Sequence, residues 1–349
     1  MTTSFPGLSI PADSEPMEAR LASEIPAGEH WQFEPKWDGF RCLAFRGGDT
    51  LELFSKAGKP LARYFPEIAE ALLGLAETRF VLDGELVLPH GTGLSFADLQ
   101  LRLHPAASRI GRLARETPAC LMLFDCLQLG SDVLASQALT ERRRSLKRFF
   151  ETASTPRLAL SPVTQDRATA QDWFDRSGTA LDGIVAKRID EPYRPGERAM
   201  VKAKKQRTAD CVVGGFRMDA KGERVGSLLL GLYDQDGRLN YVGYVSSFTD
   251  EDRAALPARL DPARGESPFT GKSPGGPSRW SRGRNTEWIP LRPELVIEVI
   301  YDQVTGERFR HGTSFLRWRD DKRPDQCTMD QLKHELRPAA LKDLLEGKQ

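Results

Sequence analysis

Lys36-Trp37-Asp38-Gly39-Phe40-Arg41 is the stretch on which the reading of this chain turns. It sets a lysine just ahead of an Asp-Gly pair and an arginine. Lysine normally titrates near about 10.4, so a lysine that reacts as an amine needs neighbouring cations or desolvation to lose its proton. By itself the run decides little. Its weight comes from companions that follow in one order: Asp83-Gly84-Glu85, Phe124-Asp125, Asp182-Gly183-Ile184-Val185-Ala186-Lys187, Lys202-Ala203-Lys204 and Arg319-Asp320-Asp321-Lys322.

Outward from this run the pattern is mostly strand. Arg41 to Phe45 and Leu51 to Phe54 flank Gly47-Gly48-Asp49, which predicts a hairpin. Phe80 to Leu88 predicts another strand, and the apolar run Cys120 to Leu129 a buried one. Helices are expected over Ala97–Leu103, over Thr140–Glu151 with Thr140 as its cap, and over Ala168–Ser177 with a stop at Gly178. The charge run Arg142-Arg143-Arg144 is expected on a solvated face. Residues 1–30, rich in Pro, Glu and Ala, read as a lead-in segment.

A second unit begins after the lysine pair at 202 and 204. Asp210–Arg217, Val225–Asp234 and Leu239–Ser247 alternate as strands, with Asp236-Gly237 as a turn and Thr249-Asp250-Glu251-Asp252 as a capping box opening a helix. Glu294–Tyr301 and Phe309–Trp318 add strands. Several short strands with one helix suit a small Greek-key barrel, and sandwiches give similar patterns. The stretch Thr270–Asn285 reads as a long loop carrying Lys272, Arg279, Trp280, Arg282 and Arg284, which suits either a nucleic-acid backbone or a plain polar loop.

At 349 residues the chain has room for two cores. A formal net charge of +1 neither announces nor excludes a polyanionic partner, because a basic groove can be offset elsewhere. Five scattered cysteines without a CxxC pair argue for a reducing compartment and against a zinc site, and the histidines show no ligand spacing. Neither a signal peptide nor an apolar span of membrane length is evident, so a cytoplasmic protein without a membrane partner is expected.

The ordered series resembles the covalent nucleotidyltransferases: DNA ligases, RNA ligases and mRNA capping enzymes. Length and the C-terminal half narrow the resemblance to small bacterial stand-alone ATP-dependent DNA ligases of the C type, and it covers nearly all of the chain. It implies an α+β fold. A nucleotidyltransferase (adenylation) domain with antiparallel sheets and flanking helices would span 1–206, and a β-barrel OB-fold domain 207–349.

Carried over by position, the resemblance implies that Lys36 takes AMP from ATP as a covalent adduct. Glu34 would read the adenine amino group, Arg41 the ribose and adjoining phosphate, and Phe124 would stack on adenine. Lys56 lies in Ser55-Lys56-Ala57-Gly58, where relatives usually carry arginine. It keeps the charge but not the bidentate fork. Glu85 would meet the ribose hydroxyl and help hold Mg²⁺ or Mn²⁺. Asp182, where many relatives have glutamate, would share that metal. Lys187 would contact the α-phosphate, and Lys202 and Lys204 would grip the same phosphate from one strand face. Arg319 and Lys322, in the second domain, would swing over the first and orient pyrophosphate as it leaves. Asp125 receives no role.

The implied substrate is nicked duplex DNA, bound by a monomer in bacterial repair. A Ku protein, polymerase or primase would be partners by association only. The alternatives are an RNA ligase, a capping guanylyltransferase, or an inactive nucleic-acid-binding repair scaffold. Glu34 and the absence of an attached triphosphatase or methyltransferase region weigh against capping. The second β-domain with its RxDK element weighs against the common RNA ligases.

Overall fold

The strand Phe40–Gly47 is apolar on both faces, and that fixes its place in the interior. Cys42 and Ala44 turn into one buried cluster, while Leu43 and Phe45 turn into another. In the computed structural model this strand lies second from the edge of a sheet ordered Leu158–Leu160, Cys120–Leu129, Arg79–Val87, Phe40–Gly47 and Thr50–Ser55. The expected hairpin is present, closed by Gly48 at φ +65°. The structure describes residues 5–90, 93–153, 155–175, 181–204, 207–275, 287–310 and 312–332. The expected stop at Gly178 and the loop residues Arg279, Trp280, Arg282 and Arg284 lie outside them.

A second, four-stranded sheet runs Ala19–Ala22, Met200–Ala203, Leu181–Arg188, Trp31–Trp37. Two motif glycines allow strands to approach where no side chain would fit. A Cβ on Gly39 would lie 2.1 Å from the Leu86 carbonyl oxygen. One on Gly183, whose φ is +121°, would lie 2.1 Å from that of Ala203. Asp38-Gly39 and Asp182-Gly183 are thus packing devices that bring together the strands carrying the acidic and basic side chains.

These sheets and their helices form one unit, through Lys205; Gln206–His334 form the other. The second unit is a closed ring of five strands. Val225–Tyr233 pairs with Leu239–Ser247, which pairs with Thr313–Trp318, then Val296–Tyr301, then Arg207–Met218, which returns to Val225–Tyr233. Closure removes the exposed strand edges. Val212, Leu228, Leu230, Val242 and Ile297 fill the interior. Thr249 and Asp252 form the expected capping box on the helix Asp250–Leu260. The expected strand Phe309–Trp318 is two pieces, Arg308–Phe309 and Thr313–Trp318.

Several expectations need correction. The lead-in is part of the fold. Ala19–Ala22 pairs in parallel with Met200–Ala203, and Phe5, Met17 and Ile25 are buried. Its side-chain alternation is too short to signal a strand, and backbone pairing holds it instead. The helix expected from Thr140 runs Leu139–Thr152, and its N-terminus has no side-chain cap. Helices Pro66–Leu73 and Ala107–Glu116 add to those expected. The five cysteines are free, and no described helix is long and apolar enough to cross a membrane.

The arginine run is the largest departure. Arg142 and Arg143 are buried, and only Arg144 is exposed. Arg142 holds both oxygens of Asp125, at 2.8 and 3.1 Å, and donates to the carbonyls of Gln137 and Glu191. Burial works to raise the Asp125 carboxyl, but Arg142 and then Lys187 overcome it and hold it below the usual carboxylate range. Removing one partner of a buried pair strands the other charge. Arg142→Ala should therefore lower stability by about 3–5 kcal/mol in urea unfolding, whereas Arg144→Ala, on the exposed side, should stay within about 0.5 kcal/mol. Equal effects would mean that the Asp125–Arg142 pair carries no special weight.

Candidate active site

The two sheets of the first unit present charged side chains to one cavity of about 220 Å³. Strand register explains the clustering. Glu34 stands opposite Val185, and Val185 stands opposite Lys202, so these three point to the same face. Lys36 and Lys187 lie two residues along their strands from members of that row and share the face. On the other sheet Arg41 stands opposite Glu85. Glu34, Lys36, Arg41, Lys56, Glu85, Phe124, Lys187 and Lys202 all line the cavity, with Met17, Glu18 and Ala19 of the lead-in completing the wall.

Asp182 and Lys204 do not line it but reach it through Lys36. The Lys36 ammonium donates to Asp182 Oδ2 at 2.6 Å, and Lys204 Nζ lies 2.9 Å from the same oxygen. Burial raises the Asp182 carboxyl, but Lys36 and Lys204 together pull it below its ordinary value. Lys202 is pushed the other way: burial, then Lys204, Lys36 and Lys56, lower its ammonium pKa. Lys36, Lys202 and Lys204 therefore gather at one end, and their mutual repulsion favours an incoming anion.

The far end of the cavity has different chemistry. Lys187 Nζ lies 3.0 Å from Glu34 Oε1 and 4.6 Å from the centre of the Phe124 ring. It is 3% exposed and makes no well-directed hydrogen bond, so an ammonium with unspent donors faces a carboxylate acceptor. Gln32 Nε2 steadies the same Glu34 oxygen at 2.8 Å. Lys187, expected at a phosphate, is thus placed with the residue expected to read the base. Phe124 carries Arg41 over its ring as well, at 4.6 Å. Arg41 itself is held bidentately by Asp83, at 2.6 Å through each oxygen.

Glu85 is half-buried at the cavity wall, and desolvation pushes its carboxyl up to about 7 despite Lys36 and Arg41. A desolvated oxygen donor of this kind suits a divalent cation, which takes one or two carboxylates and completes its shell from phosphates and water. Asp182 is committed to two lysines, so Glu85 is the better-disposed donor. Among the described residues no cluster of three acidic or other metal-binding side chains is assembled.

Arg319 and Lys322 lie in the second unit and share one carboxylate. Arg319 NH1 donates to Asp210 Oδ1 at 2.8 Å, and Lys322 Nζ to Asp210 Oδ2 at 2.6 Å. Asp321 takes the rest of the Arg319 fork at 2.8 Å through each oxygen. Asp210, Asp125 and Asp83 are the residues that sequence reasoning left without a role. Their common signal is an acid inside a strand that is otherwise apolar, which cannot be buried without a cation. Lys272, the described member of the basic loop, pairs with Glu307 at 2.7 Å.

Comparison with known proteins matches both units of the chain. The profile described as the ATP dependent DNA ligase domain matches residues 16–204, and that of the ATP dependent DNA ligase C terminal region matches 221–322. DNA ligase C2 of Mycolicibacterium smegmatis is 44% identical over 333 residues, covering 91% of this chain and 93% of that protein. DNA ligase C1 of the same organism is 45% identical over 338 residues, covering 93% and 95%. A solved Lig E DNA ligase shares the fold at a TM-score of 0.56 and 17% identity, covering 88% of this chain and 99% of that one.

Proposed function

The chain belongs to the ATP-dependent DNA ligases of the bacterial C type, and from that premise we propose how its own residues divide the work. Lys36 Nζ attacks the α-phosphorus of ATP. An N–P bond forms, the bond to pyrophosphate breaks, and the amine loses its proton. AMP then passes to the 5′-phosphate at a nick, which restores the lysine. Last, the 3′-hydroxyl attacks that phosphate, the phosphodiester forms and AMP leaves. Each displacement is phosphoryl transfer, where positioning and fixed cations do most of the work.

Lys202, Lys204 and Lys56 supply those cations at the phosphate end. Asp182 keeps Lys36 and Lys204 side by side until the phosphate arrives. Glu85 would hold Mg²⁺ or Mn²⁺, which would screen the charge of the phosphates. Arg319 and Lys322 are the cations for departing pyrophosphate. At the base end, Glu34 accepts from the adenine amino group while Lys187 donates to the neighbouring ring nitrogen, with Phe124 against the ring face. Guanine presents an oxygen acceptor and an N–H donor there, the reverse pattern.

The observation that carries this assignment is the convergence of eight expected residues on one cavity with a cationic end and a Glu34–Lys187 end. The test is labelling with α-³²P-ATP against α-³²P-GTP, followed by nick sealing. Label should transfer from ATP and not from GTP. Glu34→Ala should lower that preference by roughly 1–3 kcal/mol, the penalty for leaving a buried polar group without its hydrogen-bond partner. An unchanged preference in Glu34→Ala would remove Glu34 from base recognition.

A further inference from the structure

We propose that Tyr193 is a positioning residue for the nucleotide, acting through Asp83 to fix Arg41 and the lead-in segment as one pocket wall. This rests on the cavity being the nucleotide pocket. Four residues close a hydrogen-bonded circuit. The Met17 amide donates to Tyr193 Oη at 2.8 Å. Tyr193 Oη donates to Asp83 Oδ2 at 2.6 Å. Asp83 accepts from Arg41 Nε and NH2, each at 2.6 Å. Arg41 NH2 donates back to the Met17 carbonyl at 3.3 Å.

Met17 and Arg41 both line the cavity, whereas Tyr193 does not, so Tyr193 can act on the nucleotide only through them. The phenol is 5% exposed and uses its one proton and an acceptor lone pair within the circuit. Its own backbone is fixed by donation from its amide to the Ala135 carbonyl at 2.9 Å. Without the hydroxyl, the Met17 amide is orphaned in the interior and the lead-in wall loses its tie to Asp83. Buried networks of this kind are worth more than single pairs because each member orients the next. Arg41 would keep its charge but lose part of the frame that lays it over Phe124.

The test is single-turnover charging of Tyr193→Phe across ATP concentrations. The half-saturating ATP should rise by about 10-fold, the usual scale for removing a buried hydrogen bond. The maximal rate and the active fraction should stay within about 2-fold. In an Arg41→Ala background Tyr193→Phe should add less than about 2-fold, because coupled residues are non-additive. A purely structural tyrosine would lower the active fraction and leave the concentration dependence alone. That result, or a full further rise on top of Arg41→Ala, overturns the proposal. If Tyr193→Phe does not fold, Asp83→Asn breaks the same circuit and must show the same non-additivity with Arg41→Ala. A wild-type protein that forms no Lys36–AMP adduct overturns the pocket assignment itself. Normal wild-type charging with an unchanged Tyr193→Phe overturns only the role of Tyr193.

Discussion

Lys36→Ala should abolish the protein–AMP adduct while leaving a trace of sealing on a nick that is already adenylated. The first step needs a nucleophile at one position, and loss of a nucleophile typically costs on the order of 10⁴-fold or more. Lys202 and Lys204 stand close by, so substitution by one of them is the serious competitor. Geometry argues against Lys204, and the adduct's position decides between Lys36 and Lys202, which both line the cavity. Lys36 lines the cavity and meets Asp182 at 2.6 Å, whereas Lys204 lies outside the lining and is tied to the same oxygen at 2.9 Å. Sealing of a pre-adenylated nick does not form the N–P bond, so the remaining cations still stabilise that displacement. Mass spectrometry after incubation with ATP and Mg²⁺ should find one AMP on Lys36 in the wild type and none in Lys36→Ala. An adduct on another lysine, or one surviving the substitution, would displace Lys36 from this role.

The residues that gather at the cavity were legible through the family resemblance, and strand chemistry explains why their spacing brings them together. Glu34 and Lys36, or Lys202 and Lys204, two apart on extended chain, share a face, and only a sheet brings such pairs together. The second unit was legible as short alternating strands with an Asp-Gly turn and a capping box, a pattern sandwiches share, and the resemblance chose the barrel. What escaped was governed by partners distant in sequence. Arg142 reads as a surface charge until Asp125, far from it in sequence, is seen beneath it. The strand Ala19–Ala22 has no apolar alternation of its own and forms because Met200–Ala203 offers it a backbone edge. The resemblance implies Lys187 at the phosphate, yet register sets it opposite Gln32 and diagonal to Glu34, the residue proposed to read the base. The motifs therefore named the residues that meet at the cavity, while the proposed division of its ends rests on the sheet register.

Arg319→Ala and Lys322→Ala should each slow charging of the enzyme by about 100-fold, the order expected for removing one preorganised charge-stabilising group. Sealing of a pre-adenylated nick should fall far less. The reason is chemical. Pyrophosphate exists only in the first step, so cations that orient it lower only that barrier. Asp210 makes the experiment clean. Its carboxylate is shared, with Arg319 on one oxygen and Lys322 on the other, so either substitution leaves it a cationic partner and spares the barrel an unpaired buried acid. On the proposed role the same sharing has a cost: Arg317, Arg319 and Lys322 face Glu298, Asp210 and Asp321, three charges against three, so pyrophosphate would compete with carboxylates for these cations. Loss of one cation shifts that balance to net negative, which repels the leaving group as well as failing to hold it. Single-turnover rates for both steps in folded variants decide the matter. Equal slowing of both steps would assign Arg319 and Lys322 to DNA binding or to the fold. No slowing of either would reduce the RxDK element to a charged turn anchored on Asp210.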